Sequence, residues 1–128
     1  MGKQYLIDSN SVIDYLSGKL HVEGMTFMNQ VINEIPTISV ITKIEVLGYK
    51  TTIEATHLLE SFVLDSLVIG LSDEIIDITI EIRKKYKIKI PDAIIAATSI
   101  AYKSIIITRN LKDFQIIEGV ECINPHSI

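Results

Sequence analysis

Four carboxylates lie at positions where a parallel α/β sheet would bring them together. Each follows a β-branched apolar run or opens a predicted helix: Asp8, Glu45, Asp92 and Asp113. In such a sheet the strands end and the helices begin along one edge, so side chains distant in sequence meet there. Carboxylates that meet repel one another and suppress their own ionisation unless a cation lies between them. The pattern therefore predicts a Mg²⁺ or Mn²⁺ site that serves phosphate chemistry.

The segments that must position these acids alternate between strand and helix patterns. Strands are predicted over 4–8, 37–40, 67–71, 104–108 and 120–124, and helices over 9–18, 22–33, 42–49, 53–63, 72–86 and 91–103. This alternation predicts a three-layer α/β/α sandwich with a central, mostly parallel sheet of about five strands. At 128 residues the chain has room for one domain, which we expect to span 1–128.

Each acid also has a structural explanation. Asp8 fits the N-cap of the first helix, and Glu45 follows Thr42 at the spacing of a capping box. Asp92 falls in a first helical turn, where the helix dipole favours a carboxylate by about 0.3–1 kcal/mol. Asp113 fits a cap or an Asx-turn. Together, however, the acids favour the metal site, because Asp8 ends the strand expected to be most buried, where an unpaired charge is costly.

Composition excludes several other classes of protein. The net charge of −4 argues against nucleic-acid binding through a broad basic face, although a metal in an acidic pocket would carry its own positive charge. Cys122 is the only cysteine, so neither a disulfide framework nor a cysteine-based zinc site is possible. No apolar stretch reaches the roughly 18 residues that span a bilayer, and the N-terminus is too short for a signal-peptide core. We therefore expect a cytoplasmic protein with no membrane partner.

Other catalytic motifs are missing from the sequence. His21, His57 and His126 lack metal-ligand spacing. There is no nucleophile elbow, P-loop or dinucleotide fingerprint. The acids are therefore the only constellation that points to chemistry.

Two basic groups lie near the acids in sequence. A cluster from Arg83 to Lys89 precedes Asp92, and it is either a solvated helix end or a guide for a polynucleotide backbone. Lys85 represents this cluster as a candidate RNA-binding residue. Arg109 and Lys112 flank the segment before Asp113 and are candidates for the same role.

The ordered set of motifs resembles the PIN-domain nucleases, in particular the compact VapC-like toxins of prokaryotic toxin–antitoxin pairs. The motifs that carry the resemblance are YLIDSNSVIDYL, SVITKIEVLGY, IPDAIIAATSIAYK, IIITRNLKDF and GVECINP. The resemblance implies a Mg²⁺- or Mn²⁺-dependent endoribonuclease that cuts RNA by water attack on a phosphodiester. It also implies a homodimer and a cognate antitoxin, whose C-terminal segment lies in a hydrophobic groove. The helices over 22–33 and 53–63 are possible walls of that groove.

Residue by residue, the resemblance assigns roles to the acids and their neighbours. Asp8, Glu45 and Asp92 match the family's metal-binding acids, and Asp113 matches a less uniform fourth acid. Many relatives carry an acid where this chain has Asn110, whose amide can coordinate weakly or donate a hydrogen bond. The resemblance further implies that three neighbours support the acids through hydrogen bonds: Ser9, Asn10 and Thr108.

Two other functions stay open at this point. One is a non-catalytic PIN-like module that binds RNA or protein. The other is an aspartyl phosphotransferase with Asp8 as its nucleophile, although such enzymes want a second acid two residues later, where this chain has Asn10.

Overall fold

The computed structural model describes residues 2–128, and within them the predicted alternation of strands and helices is confirmed. The strands are β1 Tyr5–Ile7, β2 Thr37–Ser39, β3 Leu67–Ile69, β4 Ile105–Ile107 and β5 Glu121–Ile123. The helices are α1 Ser9–Leu16, α2 Val22–Asn33, α3 Val40–Leu47, α4 Ile53–Leu64, α5 Asp73–Lys85, α6 Ile90–Tyr102 and α7 Leu111–Phe114, followed by a 3₁₀ helix at Pro125–Ser127. The ends of the strands and of α1 to α6 differ from the predicted ends by only a few residues, whereas α7 and the 3₁₀ helix were not predicted.

All the strand pairs are parallel, but the strands do not form one five-stranded sheet. β1, β4 and β5 form a three-stranded sheet in the order β1-β4-β5, and β2 pairs with β3 separately. β2 still packs beside β1, so the two sheets adjoin. The prediction of about five strands in one sheet is therefore wrong: there are two sheets, one of three strands and one of two. With only three residues in each strand, a small separation is enough to end hydrogen bonding between neighbours.

Two hydrophobic cores lie on opposite faces of the three-stranded sheet. Leu6 and Ile106 belong to one core, which packs against α5 and α6. Ile7 and Ile107 belong to the other, which packs against α1 to α4. This division follows from the strand geometry, because successive side chains point to opposite faces. The sheet flanked by helices on both faces confirms the predicted three-layer α/β class.

The second core also explains why the helices after β1 and β2 lie where they do. Val12 of α1 and Val46 of α3 are almost fully buried beside Ile38 of β2. Each of these helices begins directly after its strand, so its first turn is fixed to the carboxyl end of that strand. The packing thus holds two helix N-termini at one sheet edge.

Within residues 2–128, the structure contains no helix with both the length and the apolar character needed to cross a membrane. The predicted late-strand position of Cys122 is confirmed: it lies in β5, is partly buried and packs against the first core. Burial raises the pKa of its thiol.

Candidate active site

The register of β1 on β4 places Asp8 and Thr108 next to each other. Ile7 pairs with Ile107, so the residues that follow leave the sheet side by side at its carboxyl edge. The backbone N–H of Asp8 donates to the carbonyl of Ile107 at 2.9 Å, which extends the ladder by one residue. Residues 100 positions apart in sequence thus meet because two short apolar strands pair in parallel.

Asp8 is 5% exposed, and both of its carboxylate oxygens accept hydrogen bonds. One oxygen accepts from the backbone N–H of Ser9 at 2.8 Å, which confirms Asp8 as the N-cap of α1. The other accepts from Thr108 Oγ1 at 2.9 Å and from Asn10 Nδ2 at 3.2 Å. These donors are all neutral. They orient the carboxylate without cancelling its charge.

The electrostatics around Asp8 favour its protonated form. Burial raises the pKa of Asp8 from its ordinary value of 3.8 to about 6, and the negative charges of Glu45 and Asp92 add to the rise. The hydrogen bonds from Thr108 and Ser9 oppose the rise in pKa but do not overcome it. A cation in this position would reverse the balance, because it would favour the ionised carboxylate.

Glu45 reaches the same edge from α3. Ser9 Oγ donates to Glu45 Oε1 at 2.5 Å, which joins α1 to α3 beside Asp8. The capping-box interpretation of Glu45 is wrong, because α3 begins at Val40 and its N-cap is Ser39, whose Oγ accepts from Ile41 N at 3.1 Å. The reason is local: the strand ends one residue before the helix, so a serine already fills the cap.

Asp92 and Asp113 complete the acidic group. Asp92 lies in the first turn of α6, as predicted, and Asp113 is exposed in α7. Burial raises the pKa of Asp92, and the charges of Asp113 and Glu45 raise it further, while Lys89 lowers it. Asp113 is not a helix cap, since Asn110 holds that position. The four predicted acids are therefore electrostatic neighbours.

The residues predicted to support the acids form a connected hydrogen-bond network. Thr108 Oγ1 donates to Asp8 and accepts from Asn110 N at 3.0 Å and from Asn10 Nδ2 at 3.3 Å. Ser9 joins this network to Glu45. Asn110 takes part through its backbone, and its exposed side chain makes no capping bond.

The basic candidates lie in different settings. Lys85 and Lys112 are exposed at the end of α5 and within α7. Arg109 is half-exposed, and its guanidinium binds Asp14. In the cluster around Lys85, Arg83 donates to the carbonyl of Ile88 and Lys84 pairs with Glu81 at 3.3 Å. Part of this cluster thus holds the turn between α5 and α6.

The chemistry of the acidic group fits a hard divalent cation. Its side chains offer oxygen donors only, and Asp8 is buried without a neutralising partner. Among residues 2–128, no three His, Cys, Asp or Glu side chains are gathered closely enough to enclose a metal ion. Mg²⁺ commonly uses only one or two protein carboxylates together with water and substrate phosphate, so a closed cage is not required.

Asp14 is a buried acid that the motif spacing does not single out. It lies on α1, is 2% exposed, and contacts Arg109 and His126. The one feature of the sequence that could have indicated its burial is its place inside the apolar run VIDYL, on a helix that must pack against the core. His126 likewise has no ligand spacing, and its partner becomes visible only in the folded chain.

Known proteins resemble this one in both sequence and structure. A PIN-domain family model matches residues 5–119. A toxin–antitoxin complex from Klebsiella pneumoniae contains a chain that is 30% identical, with a TM-score of 0.74 and coverage of 98% of this chain and 100% of that one. DNA-bound VapBC from Salmonella typhimurium matches with 20% identity, a TM-score of 0.79, and coverage of 97% and 99%. VapBC2 from Rickettsia felis, bound to a promoter DNA fragment, matches with 20% identity, a TM-score of 0.75, and coverage of 94% and 97%.

The last two likenesses concern the fold alone. Among curated proteins, none matches the sequence significantly. The family model nevertheless spans most of the chain and includes all four acids. On that match, together with the structural likeness, this chain belongs to the PIN-domain family.

Proposed function

We propose that this protein is a cytoplasmic, divalent-metal-dependent endoribonuclease and the toxin of a toxin–antitoxin pair. The observation that carries the proposal is Asp8, a buried carboxylate surrounded by neutral donors and other acids at the sheet edge. Such a carboxylate attracts a cation, and a PIN-family chain with acids at this edge is suited to phosphodiester hydrolysis.

Four side chains would hold Mg²⁺ or Mn²⁺: Asp8, Glu45, Asp92 and Asp113. The bound cation would supply an activated water and stabilise the negative charge that develops on phosphate. Thr108 and Asn10 orient Asp8 by donating to one oxygen, and Ser9 orients Glu45. Lys85 and Lys112 are exposed cations that would attract the RNA backbone.

Cleavage of RNA by purified protein tests the proposal. We expect cleavage that requires Mg²⁺ or Mn²⁺, stops with EDTA, and falls by a factor of about 100 or more in Asp8→Asn and Asp92→Asn, since each loses a charged metal ligand. Asp65→Asn is the matched control, because Asp65 is an exposed aspartate that precedes β3, at the opposite end of the strands. It should cleave as well as the parent.

The contrary results are equally concrete. If Asp8→Asn and Asp92→Asn fold and still cleave like the parent, the activity belongs to a contaminant. If the parent binds RNA without cutting it at any metal concentration, the protein is a binding module instead.

The proposed partners are a second copy of the chain and a cognate antitoxin. The structural relatives include toxin–antitoxin complexes. Four large apolar side chains of α4 and β3 are exposed here: Ile53, Leu58, Leu64 and Leu67. We propose that these side chains contribute to a partner interface. Light scattering should give twice the 14.3 kDa chain mass for the dimer; a monomer at all concentrations would contradict it.

A further inference from the structure

A second buried carboxylate, Asp14, lies on α1 six residues after Asp8. Asp14 Oδ2 is 3.0 Å from Arg109 Nη1 and 2.7 Å from His126 Nε2, and Asp14 Oδ1 is 3.1 Å from the same guanidinium nitrogen. Asp14 is therefore neutralised by groups from two other parts of the chain. A buried ion pair adds little net stability compared with apolar packing. The role of this pair is therefore to be sought in what its position holds in place.

Arg109 joins Asp14 to the active site through two separate contacts on α1. Its side chain binds Asp14, and its backbone N–H donates to Asn10 Oδ1 at 3.1 Å. Asn10 and Asp14 are four residues apart and so lie on the same face of the helix. The turn after β4 is thus fastened to α1 at two points one helical turn apart.

The contact at Asn10 determines which way its amide faces. Because Asn10 Oδ1 accepts from Arg109, its Nδ2 faces Asp8 Oδ2 at 3.2 Å and Thr108 Oγ1 at 3.3 Å. Ser11 Oγ also donates to Asn10 Oδ1, at 3.2 Å. If the Arg109 backbone moved away, Asn10 Oδ1 would keep only the hydrogen bond from Ser11, and the amide would be held less firmly with its Nδ2 directed at Asp8.

The C-terminal segment holds Asp14 from the other side. Asn124 Oδ1 accepts from the backbone N–H of His126 at 2.9 Å, which fixes the 3₁₀ helix that carries the imidazole. The carbonyl of Pro125 lies so close to Gly24 of α2 that a side chain at Gly24 would collide with it. His126 is therefore presented to Asp14 by a firmly seated segment.

From this geometry we propose that Asp14 is a positioning residue for the acidic site. It acts through Arg109, which directs the Asn10 amide at Asp8 and Thr108. That this positioning serves catalysis rests on the proposed nuclease function. Whether Asp14 orders the turn after β4 can be measured without metal or RNA.

Hydrogen exchange in the metal-free, full-length protein tests the ordering. In Asp14→Asn and in Arg109→Gln, we expect the protection of the backbone N–H at position 109 to fall about tenfold relative to the parent, because the hydrogen bond from this N–H to Asn10 opens. The side-chain amide resonances of Asn10 should shift in both variants. Arg109→Gln changes a half-exposed residue, so it remains informative if Asp14→Asn does not fold.

The control is Ile75→Val, which weakens the core beneath α5 without touching this network. It should lower the melting temperature and leave the Arg109 amide protected. If the protection of the backbone N–H at position 109 and the Asn10 side-chain signals are the same in Asp14→Asn and Arg109→Gln as in the parent, the positioning proposal is overturned, whatever happens to stability.

Mn²⁺ titration of the same variants tests whether the ordering serves the site. We expect Asp14→Asn, Arg109→Gln and the double variant to bind Mn²⁺ about ten times more weakly than the parent, with no further loss in the double variant. Unchanged affinity with faster exchange would overturn the proposal. If the parent itself binds no Mn²⁺ and cuts no RNA, the nuclease function fails, and the exchange result alone decides the role of Asp14.

Discussion

Asp8 and Asp14 are two buried carboxylates at the beginning and near the end of one helix, and their surroundings differ in charge. Asp14 contacts a guanidinium and an imidazole. Asp8 contacts a backbone N–H, a hydroxyl and an amide, with Glu45 and Asp92 as negative neighbours. Their exposures, 2% for Asp14 and 5% for Asp8, are nearly equal. Burial alone therefore does not identify a functional acid in this chain.

Asp8 differs from Asp14 because no positively charged side chain in the described part of the chain neutralises its carboxylate. A buried charge is tolerated when it is paired, and Asp14 follows that rule. Within residues 2–128, the structure shows no ion pair to Asp8. We interpret Asp14 as a structural residue that holds two other segments of the chain, and Asp8 as the centre of a cation site.

Removing Asp14 should produce the largest change in stability. We expect Asp14→Ala to lower the free energy of unfolding by about 3 kcal/mol, at the lower end of the usual range for breaking a buried pair, because Arg109 and His126 are partly exposed and can be hydrated. Urea unfolding at pH 7 measures this change. Asp65→Asn should change stability by less than about 0.5 kcal/mol. A loss below about 1 kcal/mol in Asp14→Ala would mean that the two acids do not differ as described.

Replacing Asp8 should raise the free energy of unfolding at neutral pH, and the size of this increase should depend on pH. Its pKa rises from 3.8 to about 6 in the folded protein, so the unfolded chain releases this proton first as pH rises. The contribution of Asp8 to the free energy of unfolding is then fully present below about pH 4 and is lost as pH rises through 6. Two pKa units correspond to about 3 kcal/mol.

The test is to measure urea unfolding of the parent and of Asp8→Asn from pH 4 to 7 with EDTA present. The stability of the parent should fall relative to that of the variant, which ends about 1–2 kcal/mol more stable at pH 7. The gain stays below 3 kcal/mol because the asparagine Nδ2 cannot accept a hydrogen bond as the carboxylate oxygen does. If the free energies of unfolding of the two proteins changed with pH in the same way, the conclusion that the Asp8 charge is not neutralised would be wrong.

Glu45 should give the smallest effect on stability. It is exposed, does not cap α3, and accepts a hydrogen bond that a glutamine can also accept. We expect Glu45→Gln to change the free energy of unfolding by less than about 0.5 kcal/mol, towards greater stability, because repulsion from Asp8 and Asp92 is relieved. A loss of 1 kcal/mol or more in thermal or urea unfolding would assign Glu45 a mainly structural role.

The strands, the main helices and the positions of the acids at strand and helix ends were predictable from the sequence because they depend on local patterns. An apolar run followed by an acid, as in YLID, places Asp8 at the end of a strand in any parallel sheet. The cap of α3 was predicted wrongly, since both Ser39 and Thr42 are good caps and packing chooses between them. The division of the strands into two sheets depends on a small separation between β1 and β2, which no residue pattern encodes.

Asp14 was harder to predict for a different reason. Its partners come from residues 95 and 112 positions away, and each is unremarkable in its own segment. The acids of the site share a residue type and a position at strand or helix ends, whereas the Asp14 group shares neither. Only the folded chain shows that Arg109, predicted as an RNA contact, is bound to a carboxylate.

Calorimetric titration of the metal-free protein with Mn²⁺ at pH 7 tests the central claim most directly. If the acids around Asp8 form a cation site, the parent should bind Mn²⁺ below millimolar concentration, Asp8→Asn should bind at least about ten times more weakly, and Asp65→Asn should bind like the parent. No binding by the parent at millimolar Mn²⁺, or equal binding by Asp8→Asn, would contradict the account.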